Sequence, residues 1–393
     1  MMLQCLAFVL LSLIFLSALG CNVEINDGDL NPLPRSLRDV PAERLAYRFT
    51  PDVEAPFGAE NGRAASEKLE AIRRDFETRR TDDALLRTVL SPDGQRALAL
   101  YATSETPEGA FRIDLYAADG RFLRNILPLD LIGAFPQSVA WSPDGQTIAF
   151  IGRRNPSFQE TPPAATPEAS PTLPVPSGTV APLIPSVPTF NTEQIYVCDR
   201  DGFALRPLTT REGLIYFYLA WAPDGHALVA LACKPYEFDL RLSEGKPTAG
   251  RPRLVMLDGQ ERLLDDRLTD VLPVWSPDSS KVAAAFDTEA MIYDAASDHP
   301  TQASIPLHED LLAASVRYDL ERLKPESNGN TVNAGSETNG VPLSFNPIIR
   351  LEWPQPERLY LQTGFLRVYE NETVTNYLRW HALDLRPQVS SRK

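Results

Sequence analysis

The side chains of this 393-residue chain that could hold a metal or move a proton are four histidines, two internal cysteines and a few acidic pairs. A zinc site needs three or four His, Cys or carboxylate ligands at set spacings. His226, His299, His308 and His381 are scattered, with no HExxH, HxH or His/Cys pairing. Cys198 and Cys233 sit in the apolar runs IYVC and LVALAC, where a buried thiol is the expected state. Whether the two bond to each other depends on a Cα separation of about 5.5 Å, which is a tertiary fact. Asp199-Arg200-Asp201-Gly202 begins like a calcium loop, but Phe203, Leu205 and Pro207 then occupy places that should supply or flank oxygen ligands. That segment reads as a hairpin turn. The nucleophile elbow GxSxG and the phosphate loops GxGxxG and GxxxxGK(S/T) are missing. The chain is therefore expected to be non-catalytic and to need no cofactor and no metal.

What recurs instead is a turn. Leu90-Ser91-Pro92-Asp93-Gly94, Trp141-Ser142-Pro143-Asp144-Gly145, Trp221-Ala222-Pro223-Asp224-Gly225 and Trp275-Ser276-Pro277-Asp278-Ser279 are copies of one motif, and Trp353-Pro354-Gln355-Pro356 is a degenerate fifth. Pro presets φ, Asp can bond back to the backbone and Gly accepts positive φ, so each copy predicts a β-hairpin. Each leads into a short apolar run: ALALYA, TIAFIG, ALVALAC, VAAAF and LYLQT. A second turn signal follows in three copies, at Asp119-Gly120, Asp201-Gly202 and Asp258-Gly259, which makes the unit four-stranded. The Trp residues before the turns are expected to pack between neighbouring sheets. Pro92, Pro143, Pro223, Pro277 and Pro354 fall at intervals of 51, 80, 54 and 77 residues, so a period near 50 carries two enlarged repeats. The first excess is residues 155–190, an extended loop holding ten of the 35 Pro. The second is residues 321–344, rich in Asn and Gly.

Repeated four-stranded units of this length are the signature of a β-propeller. The expectation is an all-β fold, a propeller of four-stranded antiparallel blades over 84–386 with a tail at 387–393. Five blades are counted directly, starting near residues 84, 136, 213, 268 and 346. Six are favoured, five being the alternative; the sixth would be assembled from LAYRFT at 45–50 and the pieces SIPL and LAASVRYDL within 304–320. Ring closure would pair an N-terminal strand into the last blade. Residues 64–80 put Leu69, Ile72 and Phe76 on one helical face, predicting a short capping helix within 64–83. The WSPDG turn, its apolar strand and the stretch IYVCDRDGFALRPLT resemble the repeats of the TolB-type propeller family, a WD40-like repeat class. The resemblance covers 84–290 well and 346–384 poorly. It implies a propeller and leaves residues 22–83 unmatched.

From Leu6 to Gly20 the chain reads LAFVLLSLIFLSALG, and the first charged side chain is Glu24. This is the pattern of a secretion signal. Ala18-Leu19-Gly20-Cys21 resembles the bacterial lipoprotein box, which implies a signal peptide over 1–20, a lipid on Cys21 and an anchor linker over 21–63. Plain cleavage nearby and an uncleaved anchor are the alternatives, because residues 3–20 approach the ~20-residue spanning length.

Lys+Arg 38 against Asp+Glu 52 gives a net charge of −14, which repels phosphate backbones and excludes nucleic acid as a partner. The expected function is an exported, membrane-anchored scaffold on the extracytoplasmic side, in the periplasm or at the cell surface. Rigid blades would hold variable loops against a protein partner, with 155–190 and 321–344 as candidate contact segments. Two other readings stand beside it: a propeller that binds or processes a small ligand such as a glycan at its central channel, and a structural subunit of an envelope complex.

Overall fold

The computed structural model describes residues 36–57, 69–158, 187–322, 347–367 and 375–388; residues 1–20, Cys21 and most of the two long insertions lie outside them. Two single-turn 3-10 segments, Leu37–Asp39 and Ala42–Arg44, lead into strand β1 (Leu45–Val53), and helix α1 (Glu70–Arg79) follows. The first blade is β2 (Ala84–Leu90), β3 (Arg96–Ala102), β4 (Ala110–Ala117) and β5 (Phe122–Asn125). In the second blade a 3-10 turn at Pro136–Ser138 splits the first strand into β6 (Leu131–Ala134) and β7 (Ala140–Trp141), followed by β8 (Thr147–Arg154), β9 (Gln194–Asp199) and β10 (Arg206–Pro207). The third holds β11 (Ile215–Trp221), β12 (Ala227–Cys233), helix α2 (Pro235–Ser243), β13 (Arg251–Met256) and β14 (Glu261–Leu263). The fourth is β15 (Val274–Trp275), β16 (Lys281–Phe286), β17 (Glu289–Asp294) and β18 (Gln302–Pro306). After helix α3 (His308–Arg322) the fifth is β19 (Ile348–Gln355), β20 (Arg358–Arg367) and β21 (Thr375–Pro387). Its fourth strand is β1, antiparallel to β21, with Leu45 opposite Pro387 and Phe49 opposite Leu383.

Among the described residues three of these units are separate four-stranded antiparallel sheets, while β4 pairs with β6 (Ala110 opposite Ala134) and joins the first two units into one nine-stranded sheet; four-stranded antiparallel units of this kind are the blades of a β-propeller. The three pieces named for a sixth blade do not come together as one. LAYRFT is β1 and completes the fifth blade, so the stretch assigned to an anchor linker over 21–63 supplies a strand. SIPL runs through the end of β18. LAASVRYDL lies in α3, because Leu311, Ala314 and Ser315 are buried at a spacing of three and four, the helical period rather than the strand period.

Apolar runs explain how the blades stack. The middle strands β8, β12 and β16 are buried almost throughout, as strands covered on both faces must be. Leu98, Ile113 and Leu115 of the first blade meet Trp141, Ile148 and Phe150 of the second. Ile151 and Ile195 meet Leu219 and Leu228. Val229 and Leu254 meet Trp275 and Val282, and Ala283 and Ile292 meet Leu351 and Leu361. The first blade's other face is covered by α1, whose Ile72 and Phe76 rest on Ala97, Ala99, Tyr101 and Tyr116. Leu69, at the helix N-cap, packs beside them.

Candidate interaction surfaces

The repeated turns are built from one set of hydrogen bonds. Ser91 Oγ donates to Asp93 Oδ1 at 2.6 Å, Asp93 Oδ1 accepts the Gln95 N–H at 3.0 Å, and Ser91 Oγ accepts the Arg96 N–H at 2.9 Å. Ser142, Asp144, Gln146 and Thr147 repeat this pattern, as do Ser276, Asp278, Ser280 and Lys281. Ala222 has no hydroxyl, so the third copy keeps only the bond from the His226 N–H to Asp224. Donation from Ser91 and the Gln95 N–H holds the Asp93 carboxyl down at about 2. Gly94, Gly145 and Gly225 have φ of 68°, 67° and 75°. Ser279 adopts 62° at the matching place, and its Oγ accepts the Asp224 N–H at 2.9 Å across the blade boundary. A non-glycine residue there is held by its neighbour.

Consecutive turns also stack. Pro92 is the side chain next to the Cβ direction of Gly145, and Pro143 next to that of Gly225. The Trp residues join one blade to the one before. Trp141 Nε1 donates to the Val89 carbonyl at 3.1 Å, Trp221 to Ala140 at 3.3 Å and Trp275 to Ala220 at 3.1 Å. Trp353 departs from the series and donates to Pro356 in its own turn, near Pro354. Pro223 and Pro277 take the same place in their turns as Pro92. The residues singled out by the repeat therefore lie together on one rim, the turn face, and act in packing and turn formation.

The remaining sequence candidates sort as follows. Asp199 Oδ1 accepts the N–H groups of Asp201 and Phe203 at 3.0 and 2.8 Å, while Arg200 bonds Asp93 and Arg96 bonds Asp201, so this segment ties two neighbouring turns. Cys198 and Cys233 are free, buried thiols, each pushed up to about 12 by burial. Among the described residues no group of three His, Cys, Asp or Glu is arranged to hold a metal. His226, His299 and His308 are exposed.

His381 is different, and no local signal marks it. It is buried where β1 joins β21, its Nδ1 accepting the Asp52 N–H at 3.2 Å and its Nε2 lying 3.1 Å from Thr363 Oγ1. Burial, aided by Arg379, lowers its pKa to about 4. Asp52 has φ of 54° and its carboxylate pairs with Arg379. Asp52 lies 329 positions from His381 in sequence, so only the fold brings the two together.

The opposite rim, the loop face, carries every long connection. Strand order places there the links between second and third strands, which include α2, and the links between blades, which include α3. The turn face has short hairpins of nearly constant form. Exposed apolar side chains follow the same division. Leu129 (72% exposed), Phe158, Tyr236, Leu240, Leu242 (70%), Leu272, Leu312 and Val316 all stand on loop-face connections. On the turn side Leu90, Phe122 and Phe203 are exposed, and Phe203 is stacked 3.6 Å from the Arg124 guanidinium carbon. Helix α2 is firmly seated: Pro235 opens it, the Lys234 N–H donates to Glu237 at 2.8 Å, and Arg251 pairs with both Glu237 oxygens. Its buried Glu237 carboxyl is lowered to about 2 by the hydrogen bond from Arg251. Tyr236 and Leu240 are thus presented on a rigid support one helical turn apart.

No family model matches the chain, and no curated protein matches it. Among solved structures, an oligogalacturonate lyase in complex with manganese overlaps 77% of this chain and 65% of its own at 13% identity, with a TM-score of 0.34. Prolyl oligopeptidase B from Galerina marginata overlaps 87% of this chain and 45% of its own at 9% identity and a TM-score of 0.42. Hydrazine synthase from Kuenenia stuttgartiensis overlaps 75% and 71% at 15% identity and a TM-score of 0.33. The chain spans less than two thirds of the lyase and less than half of the peptidase. At overlaps this loose the fold rests on the strand topology, and no activity carries over.

Proposed function

We propose that this chain is a non-catalytic five-bladed propeller of the TolB-like repeat class. It is exported from a bacterial cytoplasm, anchored by lipid at Cys21, and binds a protein partner through its loop face. The observation that carries the reading is the concentration of exposed large apolar side chains on loop-face connections, held by a scaffold whose opposite rim is short polar turns. Exposed apolar side chains gathered on loops with rigid supports are where interaction sites lie.

Arg38 donates to the Asp278 carbonyl in the fourth turn, and the Gln388 N–H donates to the Arg44 carbonyl, so residues 36–44 lie along the turn face.

The test is site-specific photocrosslinking in cells, with the probe placed at Leu240, Leu129 or, as turn-face control, Phe122. A single adduct from the first two positions, absent from the third and abolished by Tyr236→Ser with Leu242→Ser, is expected. Equal yields from both rims, or no adduct from the loop face, would overturn the reading.

A further inference from the structure

Among the described residues, apolar clusters lie on both faces of the first four units and on one face of the fifth. Its β20 and β21 alternate. Leu359, Leu361, Leu383 and Leu385 face the fourth blade, while Tyr360, Gln362, Trp380 and Asp384 point to the other side. Such alternation marks a sheet with one face on the core and one toward solvent. The register sets the polar face in rows. Arg350, Gln362 and Trp380 lie side by side; Glu352 and Tyr360 form the next row; Arg358, Asp384 and Arg48 form the third. Trp380, Tyr360 and Gln362 are half-buried.

Its charge is opposite to that of the chain. Arg48, Arg350 and Arg358 outnumber Glu352 and Asp384 on a protein of net charge −14. Arg350 pairs with Glu352 at 2.7 Å, but Asp384 is shared, 3.2 Å from Arg48 and 3.6 Å from Arg358. Arg358 Nε has no hydrogen-bond partner. The guanidinium carbons lie 5.7 Å from the Trp380 ring and 5.2 Å from the Tyr360 ring. Arginine, tryptophan and tyrosine together are the composition of interface hot spots, and the arginine fork takes carboxylates two oxygens at a time.

We infer that this face of the fifth blade is a second docking surface, whose occupant is an extended acidic peptide segment of a partner protein. From the Arg350 row to the Arg358 row is four residue steps along a strand, about 13 Å at ~3.3 Å each. An extended segment with acidic residues at positions one and five and an aromatic residue at three would set its carboxylates on the two rows and its ring on Trp380 and Tyr360. This surface is distinct from the loop face and stands if the loop-face reading fails.

The experiment titrates the full exported domain, nitrogen-15 labelled, with a capped pentapeptide of the pattern Asp-Thr-Phe-Thr-Asp and follows the indole N–H signals. That of Trp380 is assigned by its loss in Trp380→Phe. Saturable movement of that signal is expected, at least tenfold weaker for Arg350→Gln with Arg358→Gln and weakened by added salt. Arg48→Gln, at a side chain 68% exposed, serves as the variant that leaves the fold intact and should weaken binding a few fold. No movement of the Trp380 signal, an affinity unchanged by Arg48→Gln, or saturation by polygalacturonate in place of the peptide would overturn the inference.

Discussion

Replacing His381 by Asn tests how β1 is held in the fifth blade. The ring accepts the Asp52 N–H at Nδ1, so it is held neutral, and burial lowers its pKa to about 4 from an ordinary 6.5. The unfolded chain takes up a proton on this ring between those values while the folded chain does not. Stability therefore falls as pH drops through that window and is fully retained above it. At ~1.36 kcal/mol per pKa unit the whole window is worth about 3 kcal/mol, and about 2 kcal/mol of it is lost by roughly pH 5. Asn can place its amide oxygen near the Nδ1 position and carries no titrating group. The assay is urea unfolding of both proteins from pH 7.5 to 5. Other carboxylates titrate in both proteins, so the difference between the two curves isolates the histidine. The wild-type advantage at pH 7.5 should shrink by about 2 kcal/mol at roughly pH 5. Parallel curves, within a few tenths of a kcal/mol, would refute the neutral, buried ring.

The Lys281–Asp294 pair is buried, with Lys281 Nζ 2.7 Å from both Asp294 and the Val40 carbonyl, and Asp294 accepting the Ala42 and Thr301 N–H groups. Lys281→Met leaves a buried carboxylate without its cation and should cost about 3–5 kcal/mol in urea unfolding, against at most about 1 for Arg48→Met at the exposed Arg48–Asp384 pair. Trp221→Phe keeps an aromatic ring between the second and third blades but removes the bond to the Ala140 carbonyl. Its expected cost is about 1 kcal/mol by the same measurement, and no loss would show that the ring alone does the joining.

The sequence by itself determined the repeat. Pro, Asp and Gly act within five residues, so the turns at 91–95, 142–146, 222–226 and 276–280 and the apolar strands after them were legible without partners. Ile72 and Phe76 announced α1 for the same reason, since a helical period is local. The tertiary structure decided what lies far apart in the chain. LAYRFT carries no mark of which strand it will join, and its place beside β21 depends on apolar contacts with the fourth and fifth blades. LAASVRYDL, short and apolar, fits strand or helix until its buried Ala314 and Ser315 are seen three and four positions after buried Leu311. The role of His381, the polar face of the fifth blade and the gathering of exposed apolar residues on one rim all depend on which strand ends point the same way. That is a property of blade stacking, in which burial is summed over residues hundreds of positions apart, and no window of sequence contains it.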